Sequence, residues 1–486
     1  MKKDKIKMIL FIGIIFIFTY IFFTRIHKLV IFDADDWTYV SEPRSFIPLW
    51  GVWNPAKLFP ESLMPLCGSI ASYLVNPFIN DYVRSITIVS AFVVSTFISI
   101  YIYMFSSFIK KKFKHSTNGT IVIGLLFFLF HFLLFAVKDM NNQYLFWSHN
   151  VNCYYNYLIP NLVNFSLIFY LLSNDIDYST KFPKNFKYGI ILLLIYISIF
   201  SNMFCNIIIG VFAGVEILVN FIKERKKINI KEFFKKYFLL FVILVLWLVA
   251  LIFELNGGRA ESPYNVNFIT AFIESAKNLG YMLKDNINFN VLLVSLITLI
   301  GFIISIFKNK KEDKSIYIKL LLCVFITGLY YTLICAKVGP NYIFRAEDIF
   351  GFYAFGLILI FICLGYLLKK YPSISMIIPI VLCFFIVELN MKLRTFTESN
   401  TSNIDPSICE KLDNDFINQI KEADEKGVDH IELHVPDFNS NDNWPIATYF
   451  GKRIAKTAYI HGITKKQLTI DIVIDKEKNK EYQIYN

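Results

Sequence analysis

Charge is what this sequence has least of. Asp, Glu, Lys and Arg together make up 18% of its 486 residues, where soluble globular chains carry about 25%. That deficit excludes an ordinary soluble surface. Histidine is scarce too, with seven residues, and the eight cysteines share no spacing. Cys205, Cys323, Cys335, Cys363 and Cys383 fall in or beside apolar runs, where a thiol behaves as a small hydrophobe. Cys67, Cys153 and Cys409 lie elsewhere and apart, so neither a disulfide scaffold nor a metal site is expected. His430 and His434 would share a strand face but lack a third ligand. No small-residue cleavage site follows the first apolar run, so the segment led by MKKDKIK reads as a retained anchor. Internal repeats and low-complexity stretches are absent as well.

Hydrophobic residues, by contrast, form 55% of the chain and aromatics 17%, with 50 Phe and 28 Tyr. Aromatic rings favour the membrane and its interface, so the class read from composition is an α-helical polytopic membrane protein. The net charge of +11 comes from lysines in short clusters between apolar runs. That distribution is a topology signal and not a nucleic-acid patch, so no nucleic-acid partner is expected.

A membrane-crossing helix needs about 20 mostly apolar residues. Eleven candidates follow, at roughly 8–31, 85–109, 120–137, 157–173, 187–203, 204–222, 236–255, 290–307, 316–336, 349–368 and 372–390. The stretch 187–222 exceeds one span, and SNMFCN in its middle predicts a tight turn between two. With the amino terminus inside, the clusters KKKFKH (110–115), KERKKINIKEFFKK (223–236), KNKKEDK (308–314) and KK (369–370) all fall on the cytoplasmic side, as does 174–187. This meets the positive-inside rule at every cytoplasmic loop. The segments 32–84, 138–156, 256–289, 337–348 and the tail then lie outside. Those outer segments hold nearly all the distinctive polar and aromatic residues, so the chemistry is expected at the extracytoplasmic face of a multi-pass cell-membrane protein. Residues 1–390 read as the membrane domain. Residues 391–486 read as a small α/β extracytoplasmic domain, with a helix near 410–426, the alternating strand HIELHV, a helix in WPIATYFGKRIAKTAYIHG and a second strand in QLTIDIVID.

The first outer segment opens with FDADDWTYV, residues 32–40. Asp35 and Asp36 are adjacent and point in different directions, while Asp33 and Asp35 would share a face in an extended segment. One reading is an interfacial cap flanked by belt aromatics Trp37 and Tyr39. The other is a general base, with a divalent cation also conceivable. An acidic pair just after the first span resembles the first-loop motif of the GT-C-fold glycosyltransferases, and the multi-span layout is similar to O-antigen glucosyltransferase-like proteins. The resemblance implies a membrane glycosyltransferase that moves a sugar from a polyprenyl-phosphate donor to a cell-surface glycan, a teichoic-acid-like polymer or a lipid. Asp35 and Asp36 fall at the catalytic positions.

The chemistry is consistent with that implication. A polyprenyl phosphate leaves readily, so one carboxylate suffices to accept the acceptor's hydroxyl proton, whereas glycosidases need two. Charge building on the departing phosphate needs a cation. KVGPNYIFRAEDIF (337–350) supplies Arg345, with the fork geometry for phosphate, and Lys337 as a point charge. Glu347 and Asp348 are spaced to orient Arg345, or to anchor an interfacial ion pair with it. FWSHNVNCYYNYLIP (146–160) offers Trp147, His149, Asn150, Tyr154 and Tyr155 as a sugar cradle, joined by Asp33, Trp37 and Glu347. The same aromatics would equally form an interfacial belt. Arg259 in NGGRAESP is a weaker phosphate candidate and reads more as a solvated loop residue; Lys452, Arg453 and Lys456 could meet anionic polymer or lipid and read more as a solvated helix face. The alternative function is a transporter or flippase of lipid-linked saccharides, although transporters tend to place paired charges near the bilayer midplane.

Overall fold

The computed structural model describes residues 2–31, 34–135, 146–174, 176–179, 186–225, 229–261, 266–307, 314–395, 405–437 and 450–484. Nine helices among them are long and apolar enough to cross a membrane. Among the described residues a helix occupies most of each of the eleven stretches expected from sequence, three of them in shorter form: Thr117–Leu133, Ile159–Ser173 and Phe186–Ile199. The turn expected within 187–222 forms where Phe186–Ile199 stops and Met203–Glu224 begins. Asn202 caps the new helix, its side chain accepting from the Phe204 amide at 3.0 Å, which satisfies one of the orphan donors of a helix start.

Contacts between helix ends sort the bundle into two faces. On one face, Lys7 donates to Asn118 at 2.9 Å, Lys111 to Asn174 at 2.7 Å and Lys370 to the Ser305 carbonyl at 3.0 Å. Lys236 meets Glu224 there at 2.8 Å. The lysine clusters therefore gather together. On the opposite face, Thr87 donates to the Leu29 carbonyl at 2.6 Å, Asn288 donates its backbone amide to Leu134 at 2.8 Å and its side chain to Glu388 at 2.8 Å. The tail residues 405–437 and 450–484 lie on this second face, called here the tail-bearing face.

Between the faces the core is built of phenylalanine. Phe105 and Phe127 stack at 3.8 Å, and Phe361 meets Phe127 and Phe130 edge-on at 5.3 and 5.1 Å. Lipid tails are as apolar as the core, so helix association in a membrane depends on such packing geometry more than on burial from water.

One of the nine candidate helices was read from sequence as part of a loop. Pro60–Ile79 has the lowest hydropathy of the set, 1.3, because Pro60, Pro65 and Pro77 and several polar residues dilute its apolar run. The Phe59 amide just before it donates to Phe200 at 2.9 Å, at the tail-bearing end of the bundle. Further along, Ser72 and Tyr73 donate to the carbonyls of His461 and Ile460 at 2.6 and 2.5 Å. Contacts just before its start and at Ser72 and Tyr73 thus belong to the tail-bearing face. At Gly68 an added Cβ would stand 1.9 Å from the Val40 carbonyl oxygen, so only glycine allows this approach.

The tail is built from helix Pro406–Glu425, strand His430–Val435, helix Phe450–Ile460, strand Thr469–Ile474 and helix Lys476–Glu481. The strands pair in parallel, His430 opposite Thr469 through Val435 opposite Ile474. Cross-strand neighbours join His430 to Asp471 at 2.8 Å and His434 to Asp475 at 3.4 Å.

Candidate functional site

The acidic motif forms a six-residue helix, Ala34–Tyr39. Asp33 lies outside the described residues. Asp35 is half-exposed and pairs with Arg453 of the tail. Seven residues further on, just past the helix, Glu42 pairs with Lys456 at 2.6 Å. Between these clamps Thr457 donates to the Trp37 carbonyl and lies 2.7 Å from the Ser41 hydroxyl. Trp37 is buried and meets Phe450 edge-on at 6.1 Å. The basic run of the tail is thus not a solvated face; two of its cations dock on the acidic helix. Asp36 is fully buried beneath this contact.

The proposed sugar cradle is packed and not open. Trp147 is buried and donates to the Phe132 carbonyl at 2.5 Å. His149 donates from Nδ1 to the Lys28 carbonyl at 3.0 Å and stacks on His27 at 3.6 Å. Burial holds His27 neutral, well below the ordinary histidine range. Asn150 caps the helix after it, accepting from the Cys153 amide at 3.1 Å. Tyr154 meets Phe23 edge-on at 5.2 Å, and Tyr155 donates to Ser90 at 3.4 Å. These residues stitch the segment to the end of the first helix, an arrangement completed by the Val30 amide donating to the His149 carbonyl at 2.9 Å.

A different set of charges converges at the same face. Gly339, at φ +136°, lets the chain leave helix Ser315–Val338 and enter the short 3-10 turn Pro340–Phe344. Asn278 holds that turn by donating to Pro340 at 3.3 Å. Arg345 follows. Its Nε donates to Glu347 at 3.0 Å and stands 3.7 Å from Asp348, and its guanidinium lies 5.6 Å from the Tyr342 ring centre. Lys337 is exposed and touches none of these groups. Asp348 is fully buried, and neither of its carboxyl oxygens has a hydrogen-bond partner among the described residues. Burial pushes its carboxyl up to about 6; the nearby cations Arg345, Arg259 and Lys57 offset only part of that, and Glu347 adds to it.

Of those cations, Lys57 comes from a segment to which the sequence assigns no role, and Arg259 from one that reads as a solvated loop. Lys57 is buried, 5.7 Å from the Tyr157 ring centre, and burial together with Arg259 lowers its ammonium below the ordinary lysine range. Arg259 sits in the short helix Gly258–Glu261. The two loops are tied together: the Arg259 amide donates to the Trp53 carbonyl at 3.2 Å, and Glu254 accepts from the Ala56 amide at 3.1 Å. Gly257 permits this, since a Cβ there would lie 2.5 Å from the Pro55 ring. Arg259 faces Tyr157, Tyr342, Asp348 and Glu254. The isolated appearance of NGGRAESP hid it; the paired glycines before the arginine are the one local sign of a tight approach.

Among the described residues Arg345 pairs with Glu347 and Asp348, while Asp35 pairs with Arg453. Burial raises the Tyr39 hydroxyl above the ordinary tyrosine range, with Glu61 and Asp35 adding to the effect and Arg259 and Arg453 opposing it. Glu61 is itself held by Arg44 at 2.5 Å. Among the described residues no group of three or more His, Cys, Asp or Glu side chains is arranged to hold a metal ion. Chemically, a guanidinium beside a buried carboxyl, with two further cations in electrostatic reach, can receive a phosphate group and exchange a proton.

Fold and charge distribution together define a helical multi-span membrane protein with a polar cluster at one face. No family model, no curated protein and no solved structure is similar to the chain.

Proposed function

We propose that this protein is a membrane glycosyltransferase that takes a sugar from a polyprenyl-phosphate donor and attaches it to a surface glycan, polymer or lipid at the extracytoplasmic face. The observation that carries the reading is Arg345 standing 3.7 Å from buried Asp348 where the helices end, with Arg259 and Lys57 within electrostatic reach of the same carboxyl. A lipid-borne phosphate lies at that depth, and a cluster of guanidinium groups matches its geometry. The acceptor oxygen bonds to the anomeric carbon, the bond from that carbon to the phosphate oxygen breaks, and the phosphate leaves with the electron pair. The hydroxyl proton passes to a carboxylate. Asp36 and Asp35 are the sequence candidates for that role. Asp348 joins them, because a carboxyl poised near 6 can take and return a proton at physiological pH.

The test is transfer by purified protein in nanodiscs from a panel of radiolabelled polyprenyl-phosphate sugars. One donor is expected to be consumed by the wild type and spared by Arg345→Ala. A panel left untouched, or consumed equally by both proteins, would overturn the reading.

A further inference from the structure

A second cationic site lies elsewhere on the tail-bearing face and shares no residue with the cluster around Arg345. A cavity of about 130 Å3 opens where the first helix ends and helix Tyr82–Phe113 begins, and the tail covers it. Arg25, Lys28 and Arg84 line it against one carboxylate, Glu410 of helix Pro406–Glu425. Lys28 pairs with Glu410. Neither Arg25 nor Arg84 has a carboxylate partner among the described residues; Asp81, the nearest acid in sequence, is turned to cap its own helix, accepting from the Arg84 amide at 2.9 Å. Two guanidinium groups therefore face a cavity whose charge is not balanced from within the protein.

What lies below each arginine indicates the missing partner. On the first helix, Ile17 and Ile21 precede Arg25 at four-residue steps and are 57% and 45% exposed. On the neighbouring helix, Ile88 and Phe92 follow Arg84 at the same steps, and Phe92 is 55% exposed. Residues four apart share a helix face, so each arginine heads an apolar stripe. Phe16, the neighbour of Ile17 on the first helix, meets Phe92 edge-on at 5.5 Å, so the two helices touch beside these stripes and the stripes flank one seam. Cations above an exposed apolar seam match a molecule with an anionic head and hydrocarbon tails.

We propose that this cavity binds the phosphate headgroup of an anionic phospholipid, whose acyl chains lie along the seam formed by Ile17, Ile21 and Phe92. Arg25 and Arg84 hold the phosphate through charge-assisted hydrogen bonds, and Glu410 competes with it for Lys28. The proposal is independent of glycosyl transfer.

Native mass spectrometry of the full-length protein released from micelles tests it, with phosphatidylglycerol, diacylglycerol, inorganic phosphate and undecaprenyl phosphate as probes. Phosphatidylglycerol should be retained and diacylglycerol should not. The double variant Arg25→Gln, Arg84→Gln should lower retention by about tenfold or more, roughly the loss of one strong charged contact. Glu410→Gln should raise it, because it removes the competing carboxylate; this variant answers the question even if the double variant fails to fold. Equal retention of the two diacyl lipids, an unchanged double variant, or a fall in Glu410→Gln would overturn the proposal. So would displacement of phosphatidylglycerol by inorganic phosphate, or by equimolar undecaprenyl phosphate.

Discussion

Replacing Asp348 with Asn removes a carboxyl that the fold keeps protonated up to about pH 6, against an ordinary value of 3.8. At 1.36 kcal/mol for each pH unit, that difference corresponds to roughly 3 kcal/mol. Its sign follows from proton binding. The unfolded chain releases this proton near pH 4 and the native chain near pH 6, so between them the native state holds more protons. The stability it gives is present in full below about pH 4, is lost as pH rises to about 6, and does not return above. An asparagine has no such proton. Wild type should therefore lose about 3 kcal/mol relative to Asp348→Asn between pH 4 and pH 7. Reversible unfolding in mixed dodecyl maltoside and SDS micelles, repeated at one-unit pH steps, measures the gap. A gap that stays constant would refute the reasoning. It would mean that Arg345, 3.7 Å away, outweighs burial and keeps Asp348 charged throughout.

Three further outcomes are expected. Asp35→Asn breaks the pair with Arg453, in which the two side chains are 46% and 31% exposed, so its stability cost should stay under about 1 kcal/mol. A loss of transfer of about 10²–10⁴ in that variant or in Asp36→Asn would mark a base, while full activity in both and in the double variant would leave only the docking role. Arg345→Lys should retain more transfer than Arg345→Ala, since charge survives and the fork does not; equal losses would remove the phosphate role. Gly68→Ala forces a methyl onto the Val40 carbonyl and should cost about 1–3 kcal/mol in thermal unfolding of the detergent-solubilised protein, whereas an unshifted midpoint would mean that the Pro60–Ile79 helix does not pack there.

The helices of the bundle were legible because a span of about 20 apolar residues is a local signal, and the lysine clusters ordered their ends. Pro60–Ile79 was not, because its prolines resemble loop punctuation until the tail and Val40 are seen to hold it. The site divides the same way. Arg345 and Asp348 share one short segment and could be weighed together. Lys57 and Arg259 come from two loops tied together by hydrogen bonds across the fold, so apart from the paired glycines before Arg259 no local pattern advertises them. The partner of Asp35 is 418 residues away, and a docking pair at that distance leaves no trace in hydropathy.

That separation also sets a clock on biosynthesis. At about 5–20 residues per second, the 418 residues from Asp35 to Arg453 take roughly 20–80 s to translate. Throughout that interval the surface that later receives the tail stands uncovered: Trp37, Ser41, Ser72 and Tyr82 wait for Phe450, Thr457 and His461. The first part of this face to reach its destination is the last to be finished. A ribosome that stops after the final membrane helix would leave a full set of spans with an open roof, a substrate for membrane quality control and not a shorter working protein.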